Sequence, residues 1–435
     1  MLDEQSWALL RRLTRWLDQF KVCFGHRAQV ASLPQYVQGL LGDSARKSMQ
    51  AMLARVSEPR SYQAFQHFIT HAPWDVGPVW RRLLAVLPER RGVLILDDTG
   101  FPKQGTHSVG VARQYSGTLG KIGNCQVAVT AALWTGVRAW LLGAELYLPE
   151  TWLTPARRHE ARIPGGVRFQ EKWRLALTLI RRVRTAGIQI ELVVADAAYG
   201  DGLPFRTALE RLHLAYVLGV SSGLTFWVGA PHGTPPRSTR AVPAAELGAI
   251  SATRWAAAQP RRAWRRVTWR NGQHRPWDAR FVAGRMTPVA QWRQHQRLSQ
   301  VWLLCQRPTG ATAATAHDKY FVSNLPATTS LRTLVRAAHQ RWAIEQQYQE
   351  LKTELGFDHF EGRSYPGWQH HAVITAIAYA FLQRERRRPR AGPRLTLPHL
   401  RAIVQEIFTG LLFISRPHYM QWMRQAEIRF RQLRI

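Results

Sequence analysis

Two short apolar runs constrain this chain more than anything else in it. Val93-Leu94-Ile95-Leu96 is apolar at every position, the pattern of a central strand covered on both faces, and residues 188–195 read as a second apolar strand. The first runs into Asp97-Asp98-Thr99-Gly100 and the second into Asp196-Ala197-Ala198-Tyr199-Gly200-Asp201. Carboxylates at the end of a buried strand are costly as structure. Either Asp98 caps the following turn and Asp97 is solvated, or one of the two holds a metal. Neighbours on a strand point to opposite faces, so both cannot serve one metal site through regular strand geometry.

The elements around these runs suggest how they are joined. Residues 125–134 and 138–147 read as a hairpin across Thr135-Gly136-Val137, followed by a basic helix at 171–185 closed by Gly187. After the second strand come a helix at 203–212 and a strand at 215–220. Strand, hairpin, helix, strand, helix, strand is the order of a ribonuclease-H-like α/β core, an analogy of topology.

A third acid lies far downstream. Leu331, Leu334, Val335, Ala338 and Trp342 recur at helical spacing, so the sequence predicts one helix over 331–355, stopped by Gly356. At about 100° per residue, Lys352 falls roughly 20° from Arg341 and Glu345 about 40° from it. An acid and two bases thus share the apolar stripe, where a surface helix would place charge on the other side. A carboxylate turned inward requires a cation or metal. The purely structural alternative is a Glu345–Arg341 pair at i,i+4. Glu350 and Glu354, roughly 140° and 180° from Glu345, read as solvated.

Asp97, Asp196 and Glu345 together would form a hard oxygen donor set suited to Mg²⁺, or Mn²⁺ in its place, and no Cys/His set competes for zinc. Two such ions clamp an in-line displacement at phosphorus. Lys103, Arg113 and Lys121, in and beside a glycine-punctuated loop at 105–123, suit a phosphate chain.

The charge agrees with that chemistry. Sixty Lys+Arg against 28 Asp+Glu give +32, which calls for a polyanionic partner. Three widely spaced cysteines (Cys23, Cys125, Cys305) offer no disulfide framework. No signal peptide and no apolar run of membrane-spanning length are evident, so a cytoplasmic protein is expected.

Five regions follow. Residues 1–88 read as an all-α domain with a Leu9, Leu13, Trp16, Leu17, Phe20 stripe beside Arg11, Arg12 and Arg15, either DNA-binding or packing. Residues 89–220 are the first part of the core, and 221–318 a β-rich insertion subdomain, irregular at 231–243. Trp255, Trp264, Trp269, Trp277, Trp292 and Trp302 in that insertion are either base-stacking or, for most of them, core. Residues 319–382 return to the core through a strand at 320–324. Residues 383–435 are basic and helical, opening on a linker at 383–390.

Several local motifs bring a resemblance. Leu96-Asp97-Asp98-Thr99-Gly100-Phe101-Pro102-Lys103, the stretch from His107 to Tyr115, Val194-Ala195-Asp196 with Tyr199-Gly200-Asp201, and Phe360-Glu361-Gly362-Arg363 with His370-His371 are similar to DDE transposases of bacterial insertion sequences, most closely family 701. Phe65-Gln66-His67-Phe68 and Pro73-Trp74-Asp75 extend the resemblance to the N-terminal region. The wider superfamily carries Tyr-x2-Arg-x3-Glu-x6-Lys. Arg341, Glu345 and Lys352 match it, and Ala338 stands at the tyrosine position.

The resemblance implies a ribonuclease-H-like core with its insertion between second and third acids, and Mg²⁺-dependent cut-and-paste transposition. It also implies double-stranded DNA partners, the element's terminal inverted repeats and its target, with a homodimer on paired ends. Its Asp-x-Thr pattern makes Asp97 the ligand, with Asp98 bonded to the turn at Thr99-Gly100 or to a nearby basic residue. Arg341 and Lys352 would hold phosphate. Two other classes are a domesticated DNA-binding protein without cleavage, which need not keep the acids, and a ribonuclease-H-like nuclease without strand transfer, which needs neither the basic N-terminal module nor the insertion.

Overall fold

A computed structural model of the chain describes residues 2–416 apart from 118–119, 229–247, 271–276, 294–298, 310–317 and 390–394, together with 418, 421 and 425. The N-terminal region is helical, as its periodicity implies: α1 (Glu4–Asp18), α2 (Arg27–Leu41), α3 (Met49–Ala54), α4 (Tyr62–Thr70) and α5 (Val76–Val86). Each starts on a side-chain cap, from Asp3, His26, Ser48, Ser61 and Asp75 in turn, which satisfies backbone N–H groups that the first turn leaves open. In α1 the expected stripe Leu9, Leu13, Trp16 and Leu17 is the buried one.

The chain then turns to strands: β1 (Arg91–Pro102), β2 (Ala112–Ser116), β3 (Lys121–Trp134) and β4 (Ala139–Leu146). The glycine-punctuated stretch expected as a loop is in part regular, since β2 pairs antiparallel with the start of β3. Next come α6 (Pro155–Ala161), α7 (Lys172–Thr185), β5 (Gln189–Ala195), α8 (Ala197–Gly200), α9 (Leu203–Arg211) and β6 (Tyr216–Val220). Beyond these lie β7 (Thr225–Trp227), β8 (Ile250–Ser251), α10 (Ala252–Ala258), β9 (Arg265–Arg270), β10 (Trp277–Pro288), α11 (Val289–Arg293), β11 (Val301–Pro308) and β12 (Lys319–Ser323). The helices α12 (Leu331–Ala338), α13 (Trp342–Gln349), α14 (Tyr365–Arg386) and α15 (Leu397–Ser415) complete the described chain.

The described strands make one 12-stranded sheet, ordered β2-β3-β1-β5-β6-β12-β11-β10-β7-β8, with β4 on β3 and β9 on β10. β1, β5 and β6 run parallel, and β3 lies antiparallel to β1. The strands of 221–318 therefore continue the core sheet through β12 and do not build a separate one. The irregular 231–243 segment lies outside the described residues, as does the Trp292 side chain. Of the other five tryptophans singled out there, Trp255 is buried and Trp264, Trp269 and Trp302 are half-buried, while Trp277 is 54% exposed.

β1 shows how the sheet is covered. Leu94 and Leu96 join the larger core, shared with the N-terminal helices, α7, α14 and α15, while Val93 and Ile95 join a second core against α12 and α13. A strand apolar on both faces is what such a sandwich needs. α14 is buried nearly all round, so the expected apolar helix at 372–382 is the middle of a longer one. The expected basic linker at 383–390 begins inside α14, where Gln383 and Glu385 are buried.

One expectation about apolar length is corrected. α15 is long and apolar enough to cross a membrane by length and composition. Here one stripe of it, Leu397, Leu400, Val404, Ile407 and Phe408, packs into the larger core, Leu412 is buried as well, and Arg401 on the helix pairs with Glu354.

Candidate active site

The register of β1 on β5 brings the first two acids together. Ile95 lies beside Val194 in a parallel ladder, so Asp97 and Asp196, each two residues on, stand side by side where β5 ends. β1 does not end on Asp97 as expected but runs on to Pro102 against β3. Asp196 ends β5 as the N-cap of α8, accepting from the Ala198 N–H at 3.0 Å. This short helix lies hard against β6. A Cβ on Gly200 would stand 1.8 Å from the Gly219 carbonyl oxygen, so only glycine allows the approach that places Asp196.

Alternation along β1 separates the aspartates. Asp97 follows Val93 and Ile95 onto the α12/α13 side, where its Oδ2 accepts from Arg341 Nη1 at 2.6 Å. Asp98 instead meets Lys172 Nζ at 2.6 Å and accepts from the Tyr199 hydroxyl. The expected partner for Asp98 was a turn or a nearby basic residue, and the basic residue is Lys172. Asp97 is 7% exposed, and its Oδ1 takes the Asp98 N–H at 2.9 Å. Burial pushes its pKa up to about 7 against the opposing pull of Arg341, with Asp196 adding to the rise. Asp196 is also raised, by burial first, while Arg341 lowers it and Asp98 raises it.

Arg341 joins the third acid to the first. Its Nη2 donates to Glu345 Oε1 at 2.9 Å while Nη1 holds Asp97. Burial opposes its charge, yet Asp97, Glu345 and Asp196 together outweigh that and raise its pKa. The i,i+4 pair expected as the structural alternative is thus present, extended to an aspartate from another element.

The single-helix prediction needs correction here. A 3₁₀ turn at His339–Arg341 separates α12 from α13, and a π-helical turn, Glu350–Glu354, follows α13. Both change the angle per residue, so a uniform 100° loses phase. Glu345 points outward with its side chain 62% exposed, not inward on the apolar stripe. Glu350, expected in solvent, is buried and accepts from the Tyr379 hydroxyl at 2.8 Å. Glu354 is likewise mostly covered and pairs with Arg401 at 3.1 Å.

The expected phosphate-binding bases divide. Lys352 donates to the Gly100 carbonyl at 2.9 Å and lies over the Phe101 ring, and burial lowers its pKa. Lys103 donates to the carbonyls of Asp358 at 3.1 Å and Phe360 at 2.6 Å, tying the end of β1 to the segment before α14. Arg113 and Lys121 are exposed on the β2–β3 hairpin. His370 and His371 are buried in the packing of α14 against the N-terminal helices, His371 facing the Tyr36 hydroxyl at 3.0 Å.

Residue-by-residue reading missed four side chains around the acids. Lys172 and Tyr199 hold Asp98. Tyr348 meets the Thr130 hydroxyl at 2.6 Å, and Thr130 is the cross-strand partner of Asp97. Tyr199 and Tyr348 each lie three residues after an acid, a spacing that puts them one helical turn on. That was the available signal.

Among the described residues, no group of three or more His, Cys, Asp or Glu is drawn close enough to hold a metal. The donor chemistry nevertheless fits a hard cation. The acids bring only oxygen, and the buried Asp97 carboxylate is already matched to a positive charge, which here is Arg341. Asp97, Asp196 and Glu345 would hold such an ion once the guanidinium moves off Asp97.

A family model described as "DDE superfamily endonuclease" matches residues 19–276, and one described as "Transposase DDE domain" matches 172–381. Over 190 residues the chain is 33% identical to the "Probable transposase for insertion sequence element IS701" of Microchaete diplosiphon. That alignment covers 42% of this chain and 47% of that protein, so the chain spans about half the length of the curated relative it matches. Among solved structures it is similar to the piggyBac transposase in a cryo-EM synaptic complex with hairpin DNA, at 10% identity and a TM-score of 0.44, over 92% of this chain and 75% of that one.

Proposed function

The chain belongs to the DDE superfamily endonucleases and resembles the IS701 transposase, and on that premise we propose that it binds the ends of a mobile element, cleaves them and joins them to target DNA. The observation that carries this reading is Arg341, whose two donors link Asp97 on β1 to Glu345 on α13 while its charge acts on Asp196 at the end of β5. Two acids from distant parts of the chain bond one cation, and the third feels its charge.

Support for a ribonuclease-H-like core comes from the order β4-β3-β1-β5-β6, with β1, β5 and β6 parallel and β3 antiparallel on both sides. Bound at the three carboxylates, two Mg²⁺ ions, or Mn²⁺, would activate the attacking oxygen and stabilise the leaving one. The chain's own groups do the positioning. Asp98, engaged by Lys172 and Tyr199, holds this part of β1 so that Asp97 faces α13. Arg341, released from the acids, presents a planar fork to a phosphate. Lys352, anchored at Gly100, supplies charge next to β1. Arg113 and Lys121 on their hairpin contact the DNA backbone farther out, whereas Lys103 serves as a structural tie.

Double-stranded DNA as partner accounts for the +32 charge. Joining two ends implies a pair of protomers. In this reading residues 1–88 and 383–435 bind DNA around a core formed by 89–220 and 319–382, with 221–318 as the β-rich insertion.

Incubating the purified protein with labelled duplex carrying its element's end, in Mg²⁺ and in EDTA, tests the proposal. Nicks at the end and joined products are expected in Mg²⁺ only. Nicks without joining would favour a nuclease, and binding without nicks a non-cleaving DNA-binding protein.

A further inference from the structure

α1, the C-terminal end of α14 and the residues just past it enclose a cleft of about 470 Å³, lined by Arg11, Arg12, Arg15, Arg384 and Arg388, with Glu385 the sole acid among the described residues lining it. None of the three acids of the candidate active site lines it. We propose that this cleft is a second nucleic-acid site, one that grips the phosphate backbone of duplex DNA away from the acids. The proposal rests on the DNA-processing reading above and adds to it where the duplex is held.

The floor of the cleft is built. Trp16 Nε1 donates to the Ile377 carbonyl at 3.1 Å, fixing α1 against α14. The Arg384 guanidinium lies 5.3 Å over the Trp16 ring, a cation–π contact that orients it. Glu385, 2% exposed, takes Arg12 in a fork with contacts of 2.9–3.1 Å. That pair neutralises the one buried acid and holds Arg12 in place.

The remaining charge has no such answer. Arg11 pairs with the exposed Glu4, and Arg15 and Arg388 have no carboxylate within ion-pair distance among the described residues. Arg11 and Arg15 are spaced i,i+4 on α1, so they repel each other on its surface. Arg384 stands in the last turn of α14 and Arg388 two residues past its end, where the helix dipole favours a cation. That favours one or two arginines there but leaves Arg11 and Arg15, on a different helix, unexplained. Guanidinium forks gathered from two elements into one concave face match the oxygens of successive phosphates.

The test is anisotropy binding of two labelled duplexes, the element's end and an unrelated sequence of equal length, across roughly 50–200 mM salt. Each phosphate neutralised contributes about 0.9 to the slope of log affinity against log salt. In Arg15→Gln/Arg384→Gln/Arg388→Gln the slope should become shallower by about 3 on both duplexes alike, because backbone contacts carry no sequence information. Arg388→Gln alone, an exposed change past the helix end, should make it shallower by about 1. A triple variant that does not fold leaves the single one to decide. Slopes equal to wild type in the variants would overturn the cleft proposal while leaving the DNA reading intact. A wild type without salt-dependent duplex binding would overturn both. A third arm titrates tripolyphosphate: if the variants lose that ligand yet bind duplex as wild type does, the cleft is a small-anion pocket and the proposal fails.

Discussion

The Arg341 guanidinium donates to the Asp97 carboxylate at 2.6 Å across 244 residues of sequence. Through it the middle of a buried strand meets the helix that carries Glu345. The contact offsets a carboxylate that burial alone would drive toward protonation, and it is the contact that an ion bound at the proposed site would have to displace.

Removing that guanidinium should therefore change the response to metal. Arg341→Ala is expected to lose on the order of 2–3 kcal/mol of stability, less than a fully buried pair because the Arg341 side chain is 31% exposed. Added Mg²⁺ should raise the melting temperature of the variant more than that of wild type, since the ion has no cation to displace. Thermal melts across a Mg²⁺ titration check this. Equal increments in the two proteins would show that Arg341 and the ion do not compete.

Asp97 and Asp98 should separate under isosteric change. Asp97→Asn is expected to bring Mg²⁺-dependent nicking to background. Asp98→Asn, which loses the Lys172 ion pair but keeps a group facing the Tyr199 hydroxyl, should slow nicking without ending it. Retained cleavage in the first variant beside a dead second would reverse the assignment.

The π-helical turn after α13 is anchored by a buried acid. Glu350 accepts from Tyr379 at 2.8 Å, and Gln383 donates to the same tyrosine oxygen at 2.6 Å. Tyr379→Phe leaves both without that partner inside the core, so a loss of about 1–3 kcal/mol is expected in denaturant unfolding. A change within a few tenths of a kcal/mol would mean that water or Arg386 replaces the hydroxyl.

What the sequence reveals here follows from which signals are local. The strands at 93–96 and 188–195 are legible because runs so rich in apolar residues, Val93–Leu96 unbroken and Leu192–Ala195 likewise, have few alternatives, and Asp97 and Asp196 because acids at the ends of such runs are rare as mere structure. Glu345 was found by spacing, but its direction was not. A 3₁₀ turn before it and a π turn after it shift the phase, so a uniform helical period places Glu350 in solvent while the fold buries it in the core. Lys172 and Lys103 show the other limit. Their roles depend on which element packs beside β1, and no periodicity encodes that.

Acid should destabilise the protein through His371. Burial first, then the nearby charge of Lys103 and His359, lower its pKa to about 4 against the pull of hydrogen bonding to the Gly356 carbonyl. The folded state binds fewer protons than the unfolded chain between about 4 and 6.5, so stability is full above that window and falls as pH drops through it. The contribution is on the order of 3 kcal/mol. His371→Gln should show a flatter unfolding free energy between pH 6.5 and 4 than wild type, whereas an unchanged slope would place the acid sensitivity elsewhere.

The central claim is that Asp97, Asp196 and Glu345 act as one set, and Glu345 tests it best. It is the exposed member, bonded only to Arg341 at 2.9 Å among the described side chains, so its replacement disturbs the fold least. The measurement is Mg²⁺-dependent nicking of labelled end DNA by Glu345→Gln, with binding of the same probe followed in parallel. Nicking at background with binding unchanged is the predicted result. Nicking at the wild-type rate would contradict the three-acid site.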